Sequence, residues 1–439
     1  MAPGYAHTDA WTPSYDPSKP PTVRPKEHRE SIFPMYRLPP EIVVEIFHFV
    51  CLPPSPETYR ASEDKTCVTT QLTDYTPPLF LGQICKEWRN LAWSAPPLWT
   101  FVYLFWSTNR NRILLELFKE WLERTCQLPL SIVIRRPPGA DWEEPSNEIS
   151  LFRVIAHESS RWEAIDISVP SHCFAIMESI CGRTPQLRNA SIRFCSPPRV
   201  ANFLSEVPQL CDLTIERCLL PPATPYLLLT KLKVVNVHSS DLFEILRQTP
   251  NLTSCYLDRI IGFWWNWEPS TNKNIHFEYL ESLTLRHCFI NQILPSIGTG
   301  SVFRSLTIKS NPHDTLDLNP VAEFLDRCKC PLQALDLEAN AIKALPLYSL
   351  LAQSALSTLT RLGIRTQSPI VSADVMTSIL QSSRSSSVPC PWLAAIMLHQ
   401  QIHDSSVLPN LKCFDLHVGN GPPLPAINML NHRSVEQQG

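Results

Sequence analysis

Residues 210–215 read LCDLTI and residues 280–285 read LESLTL. Both hexapeptides share one pattern, in which the first, fourth and sixth residues are apolar. The pattern occurs ten times after residue 150, with copies that begin at Trp162, Leu187, Leu210, Leu232, Leu252, Leu280, Phe303, Leu332, Leu359 and Leu411. Copies from Trp162 to Leu359 are about 25 residues apart, and the last step is about twice as long. A repeat of this period predicts stacked structural units, because one unit cannot bury its apolar face alone.

Side chains alternate in polarity within each copy, as they do in a β-strand that buries one face. The fourth and sixth positions are apolar in all copies, and the positions between them are mostly polar. Short helical patterns at 200–207, 241–247 and 320–327 separate the strands. The sequence therefore predicts an α/β fold, with a curved parallel sheet and helices on its convex side. One core ladder should contain Leu213, Val235, Leu283, Leu306, Leu335 and Leu362.

The period and the apolar spacing resemble those of leucine-rich repeats. Such solenoids commonly bind partners on the concave strand side, which offers a wide preorganised surface. The resemblance implies a target-binding face at the polar positions, with the candidates Thr214, Glu216, Asn236, Tyr256, Asp258, Thr284, Arg286 and Asp336. The alternative is that this face is only a solvated sheet surface.

Helices are predicted near the N-terminus. The first begins at Leu38-Pro39-Pro40-Glu41, ends near Val50 and repeats Ile42, Ile46, Phe49 and Val50 at helical spacing. The second begins at Pro78 and places on one stripe Leu81, Ile84, Cys85, Trp88, Leu91 and Ala92. A third helix over 111–126 and a strand over 130–134 follow. The predicted organisation is a disordered arm (1–35), a helical domain (36–100) with an insertion (52–78), a connector (101–158), the repeats (159–418) and a tail (419–439).

Composition narrows the possible partners and compartments. Lysine plus arginine number 38 and aspartate plus glutamate 41, so no excess of positive charge favours nucleic acid or an anionic membrane. No apolar run reaches the roughly 18 residues of a spanning helix, and residues 1–21 lack the apolar run of a signal peptide. The 15 cysteines are scattered through apolar pattern positions such as Cys85, Cys255 and Cys288, which favours free thiols in a reducing compartment. The cytoplasm, the nucleus or both are expected.

Motifs for catalysis and cofactor binding are missing from the sequence. It contains no phosphate-binding glycine loop, no dinucleotide-binding fingerprint, no nucleophile elbow and no H-E-x-x-H pair. Cys328-Lys-Cys330 is a close cysteine pair, but it lacks the further ligands of a zinc site and is interpreted as structural. We expect no catalytic residues, no cofactor and no metal, and therefore a non-catalytic protein.

Residues 38–51 and 79–99 resemble an F-box, the helical module that binds the Skp-type linker subunit of cullin-RING ubiquitin ligases. The motifs are Leu38-Pro39-x-Glu41-Ile42-x-x-x-Ile46-Phe47, then Ile84-Cys85-Lys86-x-Trp88-x-x-Leu91-Ala92, then Pro97-Leu98-Trp99. Residues 52–78 separate the two helices further than F-boxes usually do, a feature of F-box-like proteins in basidiomycete fungi. The resemblance implies that the linker subunit contacts Leu38, Pro39, Glu41, Ile42, Ile46, Phe47, Leu81, Ile84, Cys85, Trp88 and Leu91.

Together the two resemblances imply a substrate-recruiting adaptor of a Skp–cullin–F-box ubiquitin ligase. The N-terminal helices would bind the linker subunit, and the repeats would bind a target protein. The alternative is a leucine-rich-repeat scaffold without a role in ubiquitin transfer, whose N-terminal helices only cap the solenoid. Neither alternative involves nucleic acid or a membrane.

Overall fold

The computed structural model describes residues 38–51, 78–106, 111–135 and 145–366 apart from 196–197, 223, 263–274, 312 and 352, together with 408, 410–418 and 427–428. The predicted N-terminal arm lies outside the described residues, as do nearly all of the predicted insertion and C-terminal tail. The chain divides into two units between Leu98 and Trp99.

The first unit contains the helices α1 (Pro40–Val50), α2 (Pro78–Ile84) and α3 (Lys86–Trp93). Helix α1 follows the prediction, because Pro40 lies in the first turn, where a missing backbone N–H has no partner to lose. The single helix predicted from Pro78 is wrong, since the chain breaks into α2 and α3 at Cys85.

The break at Cys85 has a local cause. The backbone of Cys85 is extended, with φ of −157°, and its Sγ accepts a hydrogen bond from the Trp88 N–H at 3.4 Å. Cys85 therefore caps the start of α3. Arg89 Nε donates to the carbonyl oxygen of Gly82 at 2.7 Å, which satisfies a carbonyl near the end of α2.

The second unit contains a sheet of 13 strands, and neighbouring strands follow their order in the chain. All neighbours are parallel except the last pair. The predicted α/β class with a parallel sheet is therefore confirmed. The strands are β1 (Phe101–Phe105), β2 (Leu130–Arg135), β3 (Trp162–Val169), β4 (Asn189–Phe194), β6 (Asp212–Glu216), β8 (Lys231–Val235), β9 (Ser254–Asp258), β11 (Ser282–Arg286), β13 (Ser305–Lys309), β15 (Ala334–Ala339), β17 (Arg361–Thr366), β18 (Cys413–Val418) and β19 (Ile427–Asn428).

Short strands and helices connect the strands of this sheet. Three two-stranded sheets are formed by β5 (Arg199–Val200) with β7 (Cys218–Leu219), β10 (Ile275–Phe277) with β12 (Ile297–Thr299), and β14 (Thr315–Leu316) with β16 (Ala341–Ile342). The helices are α4 (Asn111–Arg124), α5 (Pro145–His157), α6 (Phe174–Glu178), α7 (Ser239–Arg247), α8 (Ile290–Ile293), α9 (Asn319–Cys328) and α10 (Ala344–Leu351). The helix predicted at 200–207 is only a 3-10 turn over Asn202–Leu204. The described residues between β6 and β8 also contain no helix.

The fourth residue of each repeat stacks on its neighbours in one ladder. The pairs run from Ile165 through Ala190, Leu213, Leu232, Cys255, Leu283, Leu306, Leu335 and Leu362. Each of these side chains is at most 2 % exposed. The ladder fills the core because alternate residues of a strand point to the same side of the sheet.

One member of the predicted ladder is wrong. Leu232, not Val235, pairs with Leu213 and Cys255, so this repeat begins at Leu229. Residues 229–234 (LTKLKV) and 232–237 (LKVVNV) both fit the apolar pattern, so spacing alone does not separate the two registers. The backbone supports the observed register: the eighth residue of four successive repeats has a positive φ, namely Arg217, Asn236, Arg259 and His287.

The residues predicted as a connector form the beginning of the sheet. Val102 of β1 pairs with Ile132 of β2, which pairs with Ile165 of the first recognised repeat. Helices α4 and α5 add buried side chains to the same core, namely Leu115, Phe118, Leu122, Leu151, Phe152 and Ile155. The N-terminal strands of the sheet are therefore covered by helices of their own unit.

Candidate functional site

Helix α1 carries apolar side chains on two adjacent faces. Val43 and Phe47 are buried, and the Phe47 ring lies 4.8 Å from the ring of Trp88 on α3. An adjacent face exposes Ile42 (48 %), Ile46 (37 %) and Phe49 (70 %), and the polar Glu41, Glu45 and His48 lie opposite the buried pair. The inner face therefore holds the helices together, and the outer face presents large apolar side chains.

The predicted linker-binding residues fall into two groups. Leu38, Pro39, Glu41, Ile42, Ile46 and Ile84 are exposed. Phe47 and Leu81 are buried, while Cys85, Trp88 and Leu91 are half-buried. The predicted stripe on the second helix is thus divided: Leu81 is 3 % exposed and Ile84 is 59 % exposed. Phe47 and Leu81 can support a docking surface only indirectly, by holding the helices together.

Further large apolar residues, outside the predicted list, are exposed on the helical unit. Val50, Leu79 and Phe80 are all exposed, in addition to Phe49. Leu79, Phe80 and Leu81 are consecutive, and three consecutive helical residues cannot share one face. This run of three apolar residues therefore indicates, from the sequence alone, that at least one of their side chains lies outside the packing between the helices. We call the exposed residues Ile42, Ile46, Phe49, Phe80 and Ile84 the outer apolar group.

Gly82 sets how closely the ring of Trp93 can approach α2. A Cβ atom at Gly82 would overlap that ring. We expect Gly82→Ala to lower the free energy of unfolding of the helical unit by up to about 2 kcal/mol, because overpacking costs about 1–3 kcal/mol and the gain in helix propensity is about 1 kcal/mol. Thermal unfolding monitored by circular dichroism measures the change. Gln83→Ala, at an exposed neighbouring position, is the control, and equal stabilities would contradict the packing described here.

The second candidate surface is the face of the sheet opposite the core ladder. It consists of the third, fifth and seventh residues of each repeat, and we call it the polar face. The fifth-position residues pair in one row: Asp166, Ser191, Thr214, Lys233, Tyr256, Thr284, Thr307, Asp336, Gly363 and Asp415. The seventh-position row is charged over much of its length, with Arg193, Glu216, Asp258, Arg286, Lys309, Glu338 and Arg365.

Three of the predicted target-binding residues are placed differently from the prediction. Thr214 and Asp258 are buried, at 3 % and 7 % exposure. Asn236 lies beyond the end of β8, where its Nδ2 donates to Glu216 Oε1 at 3.0 Å. Lys233 occupies the row position that was assigned to Asn236, because the register of this repeat differs by three residues.

The remaining candidates on the polar face are half-buried, namely Glu216, Tyr256, Thr284, Arg286 and Asp336. The structure brings Tyr256 and Thr284 together as direct cross-strand partners. Lys233, which the prediction did not include, lies with its Nζ 5.1 Å from the centre of the Tyr256 ring. A role of these residues in binding a target stays a prediction.

A buried ionic cluster lies at the N-terminal end of the polar face. Arg135 makes two hydrogen bonds to the carboxylate of Asp166, at 2.9 and 2.7 Å, and Arg193 makes a third at 2.8 Å. Asp166 is 2 % exposed. Arg193 also lies 3.8 Å from Glu216. The opposite charges of this cluster are paired within the fold, and the pairing holds this end of the polar face rigidly.

Thiol chemistry is suppressed in the core. Burial raises the pKa of Cys255 and of Cys288 to about 12, so both thiols are protonated at neutral pH and are weak nucleophiles. All cysteines of the described residues are free. Cys328 ends α9 and Cys330 is buried. The described residues contain no group of three side chains able to hold a metal ion, and none of their helices is long and apolar enough to cross a bilayer.

A cavity of about 650 Å³ lies where the chain enters β6 and β8. Its lining is largely apolar and includes Pro185, Pro208, Leu227 and Leu228. The ionisable side chains of its lining are Glu206 and Tyr226, and the Tyr226 hydroxyl donates to the carbonyl of Leu204 at 3.0 Å. Burial also raises the pKa of Tyr226.

Comparison of the sequence with models of known protein families and with curated proteins gives no match. The function is therefore inferred from the residues and geometry of this chain. Two features of the chain stand out. One is the outer apolar group on the helical unit, and the other is a long parallel sheet whose polar face carries both acidic and basic side chains.

Proposed function

We propose that the chain is a substrate-recruiting adaptor of a Skp–cullin–F-box ubiquitin ligase. The helical unit binds the Skp-type linker subunit, and the sheet unit binds a target protein. The observation that carries the proposal is the outer apolar group, which belongs to the segments that resemble an F-box. Large apolar side chains clustered at a surface are typical of a protein-binding site.

The division of α1 into two apolar faces supports this proposal. Val43 and Phe47 are the buried residues of α1, whereas Ile42, Ile46 and Phe49 are exposed and contribute little to that packing. The capping alternative asks the helices to cover the end of the sheet. Binding of the linker subunit, tested below, separates the adaptor from the cap.

We further infer that the sheet unit is a leucine-rich-repeat solenoid. The extended pattern of such repeats has apolar residues at positions one, four, six and eleven and asparagine or cysteine at position nine. The repeat from Leu210 fits it with Cys218 and Leu220, and the repeat from Leu280 fits it with Cys288 and Ile290. Repeats of this kind hold their strands rigidly, so a target bound on the polar face is held in one orientation.

The adaptor performs no chemistry of its own in this proposal. Its contribution to ubiquitin transfer is proximity, because a target held beside the charged conjugating enzyme reacts in an effectively unimolecular step. The helical unit and the sheet unit therefore have separate tasks, and substitutions in one unit should leave the other task intact.

Binding to the linker subunit tests the proposal directly. We expect the full-length chain to co-purify with a recombinant Skp-type subunit. The double variant Ile42→Asp, Ile46→Asp should lose this interaction, because burying charged groups without partners at an apolar interface is unfavourable. Both residues are exposed, so the fold should be kept. Trp88→Asp is a poorer choice, since Trp88 packs on Phe47.

Ile113→Asp is the matched control, because Ile113 is 63 % exposed on α4 of the other unit. It should bind the linker subunit like the wild type. If the wild-type chain fails to bind, or if the double variant binds equally well, the adaptor proposal is wrong. A large fall in melting temperature of the double variant without any linker binding would instead favour the capping scaffold.

A further inference from the structure

The cavity of about 650 Å³ lies at the edge of the sheet unit where the strands begin, and we call it the rim cavity. Three successive loops line it, through residues 182–185, 205–208 and 224–228, which lead into β4, β6 and β8. The repeat that begins at Leu210 is shorter than either neighbouring repeat, and its described residues contain no helix. A short repeat without a helix leaves open the space that a helix would fill. The volume is within the range of ligand sites, about 300–1,000 Å³.

Large apolar side chains are exposed at the rim cavity. Leu227 and Leu228 both line it and are 57 % and 51 % exposed. Leu229, the next residue, is fully buried, so the core of this repeat uses only the last of three consecutive leucines. Three prolines of the lining are exposed as well, namely Pro185, Pro208 and Pro225. Exposed apolar groups that share one cavity are typical of a binding site.

Backbone hydrogen bonds hold the two exposed leucines in place. The Tyr226 N–H donates to the carbonyl of Gln248 at 2.8 Å, and the Leu229 N–H donates to the carbonyl of Tyr226 at 3.2 Å. The carbonyl of Leu227 accepts a hydrogen bond from Asn251 Nδ2 at 2.8 Å. The segment is therefore fixed on both sides of Leu228. A site formed in advance loses little conformational entropy when its ligand binds.

Glu206 provides the single charged side chain of the lining. The other polar groups already have partners in the fold, since the Tyr226 hydroxyl donates to Leu204 and the Ser205 hydroxyl donates to the carbonyl of Asn202 at 2.6 Å. Glu206 is exposed, and its carboxylate makes no ion pair or hydrogen bond within the described part of the chain. The carboxylate is therefore free to pair with a cationic group of a ligand.

The charges of the surrounding loops balance one another. Residues 178–188, 202–212 and 224–231 contain three acidic and three basic residues, namely Glu178, Glu206, Asp212, Arg183, Arg188 and Lys231. All of them except Glu206 lie outside the lining, and none forms an ion pair with Glu206. The preference for a cation therefore depends on direct contact with Glu206 and not on a long-range field.

We infer that the rim cavity binds a segment of the target protein in which a bulky apolar side chain lies within three residues of a lysine or arginine. This inference rests on the proposed function and specifies the chemistry of its target. The apolar side chain packs on Leu227 and Leu228, and the cationic group pairs with the carboxylate of Glu206. Apolar contact provides most of the affinity, and the charge pair selects basic segments over acidic ones.

The test uses the full-length chain and labelled nine-residue peptides of glycine and serine. Each peptide has a central phenylalanine and one arginine, placed one, two or three residues before or after it. Comparison peptides carry glutamate in place of arginine, or serine in place of phenylalanine. Fluorescence anisotropy measures binding. We expect at least one arginine peptide to bind, and its two comparison peptides to bind about fivefold more weakly or worse.

Two sets of variants assign the binding to the rim cavity. Leu227→Ser with Leu228→Ser should weaken binding of the arginine peptide about tenfold, because apolar contacts are lost. Both leucines are more than half exposed, so the fold should be kept. Glu206→Arg should reverse the preference, so that the glutamate peptide binds better than the arginine peptide. Glu206→Gln should abolish the preference and covers the case in which Glu206→Arg fails to fold.

Tyr279→Ser and Glu281→Gln are the matched controls. Both residues are exposed just before β11 and lie outside the lining of the rim cavity. Both variants should bind the arginine peptide like the wild type. The inference is overturned if no arginine peptide binds, if the double leucine variant binds normally, or if Glu206→Gln keeps the preference for arginine.

Failure of this inference is distinguishable from failure of the adaptor proposal. The rim-cavity variants should still co-purify with the Skp-type subunit, because the changes lie in the sheet unit. A chain that binds the linker subunit but none of the arginine peptides keeps the adaptor role and loses the rim-cavity inference. A chain that binds an arginine peptide but not the linker subunit keeps the rim cavity as a binding site and loses the adaptor role.

Discussion

Replacement of Asp166 by alanine should lower the free energy of unfolding by about 3–5 kcal/mol, because it leaves two arginines without their buried partner. Arg135 and Arg193 are themselves largely buried, with 17 % and 13 % of their side chains exposed. Their hydrogen bonds to Asp166 are all between 2.7 and 2.9 Å. Chemical denaturation of the full-length chain, followed by circular dichroism, measures the loss.

A combined variant separates the cost of unpaired charges from the net value of the ionic cluster. Arg135→Met, Asp166→Leu and Arg193→Met together replace all three charges with apolar groups of similar size. This variant should regain most of the lost stability, since well-packed apolar residues often replace a buried ionic group without cost. If Asp166→Ala loses less than about 1 kcal/mol, the cluster is not the buried network described here.

Leu283→Ala should lower the free energy of unfolding by about 2–5 kcal/mol, through lost apolar burial and the cavity left behind. Leu283 is 1 % exposed and lies between Cys255 and Leu306 in the core ladder. Thr284, the next residue, is half-buried on the opposite face. Thr284→Ala should therefore cost less than about 1 kcal/mol, the span of strand propensities.

The two substitutions form a matched pair, because they lie on the same strand and differ only in face. Urea denaturation of both variants compares them under identical conditions. A loss at Thr284 as large as that at Leu283 would show that the face assignment is wrong. The polar face would then lose its definition, since its members follow from that assignment.

The repeat pattern predicted most of the ladder without the structure. Nine of the ten predicted copies keep their register in the sheet, because an apolar residue every second position can bury only one face of a strand. The exception is the copy assigned to Leu232, where two overlapping apolar patterns compete. Pairing with Leu213 and Cys255 on the neighbouring strands selects the register that starts at Leu229.

The helical unit was less predictable. Spacing indicated the helix over 40–50, but the apolar residues of α1 cover more than one face, so the pattern does not identify the buried face. Packing against Trp88 selects Phe47 and leaves Ile46 outside. The break at Cys85 was also missed, because its apolar neighbours keep helical spacing across the cap.

The sequence by itself determined the α/β class, the parallel repeat and the apolar side of each strand, since these follow from local periodicity. Only the tertiary structure decided which polar residues become buried partners. Asp166 is 31 residues from Arg135 and 27 from Arg193, and the three meet only after neighbouring strands have paired. Lys233 and Tyr256 likewise come together only when their neighbouring strands, β8 and β9, have paired. Contacts between strands depend on register, and register is set by the packing of the whole core.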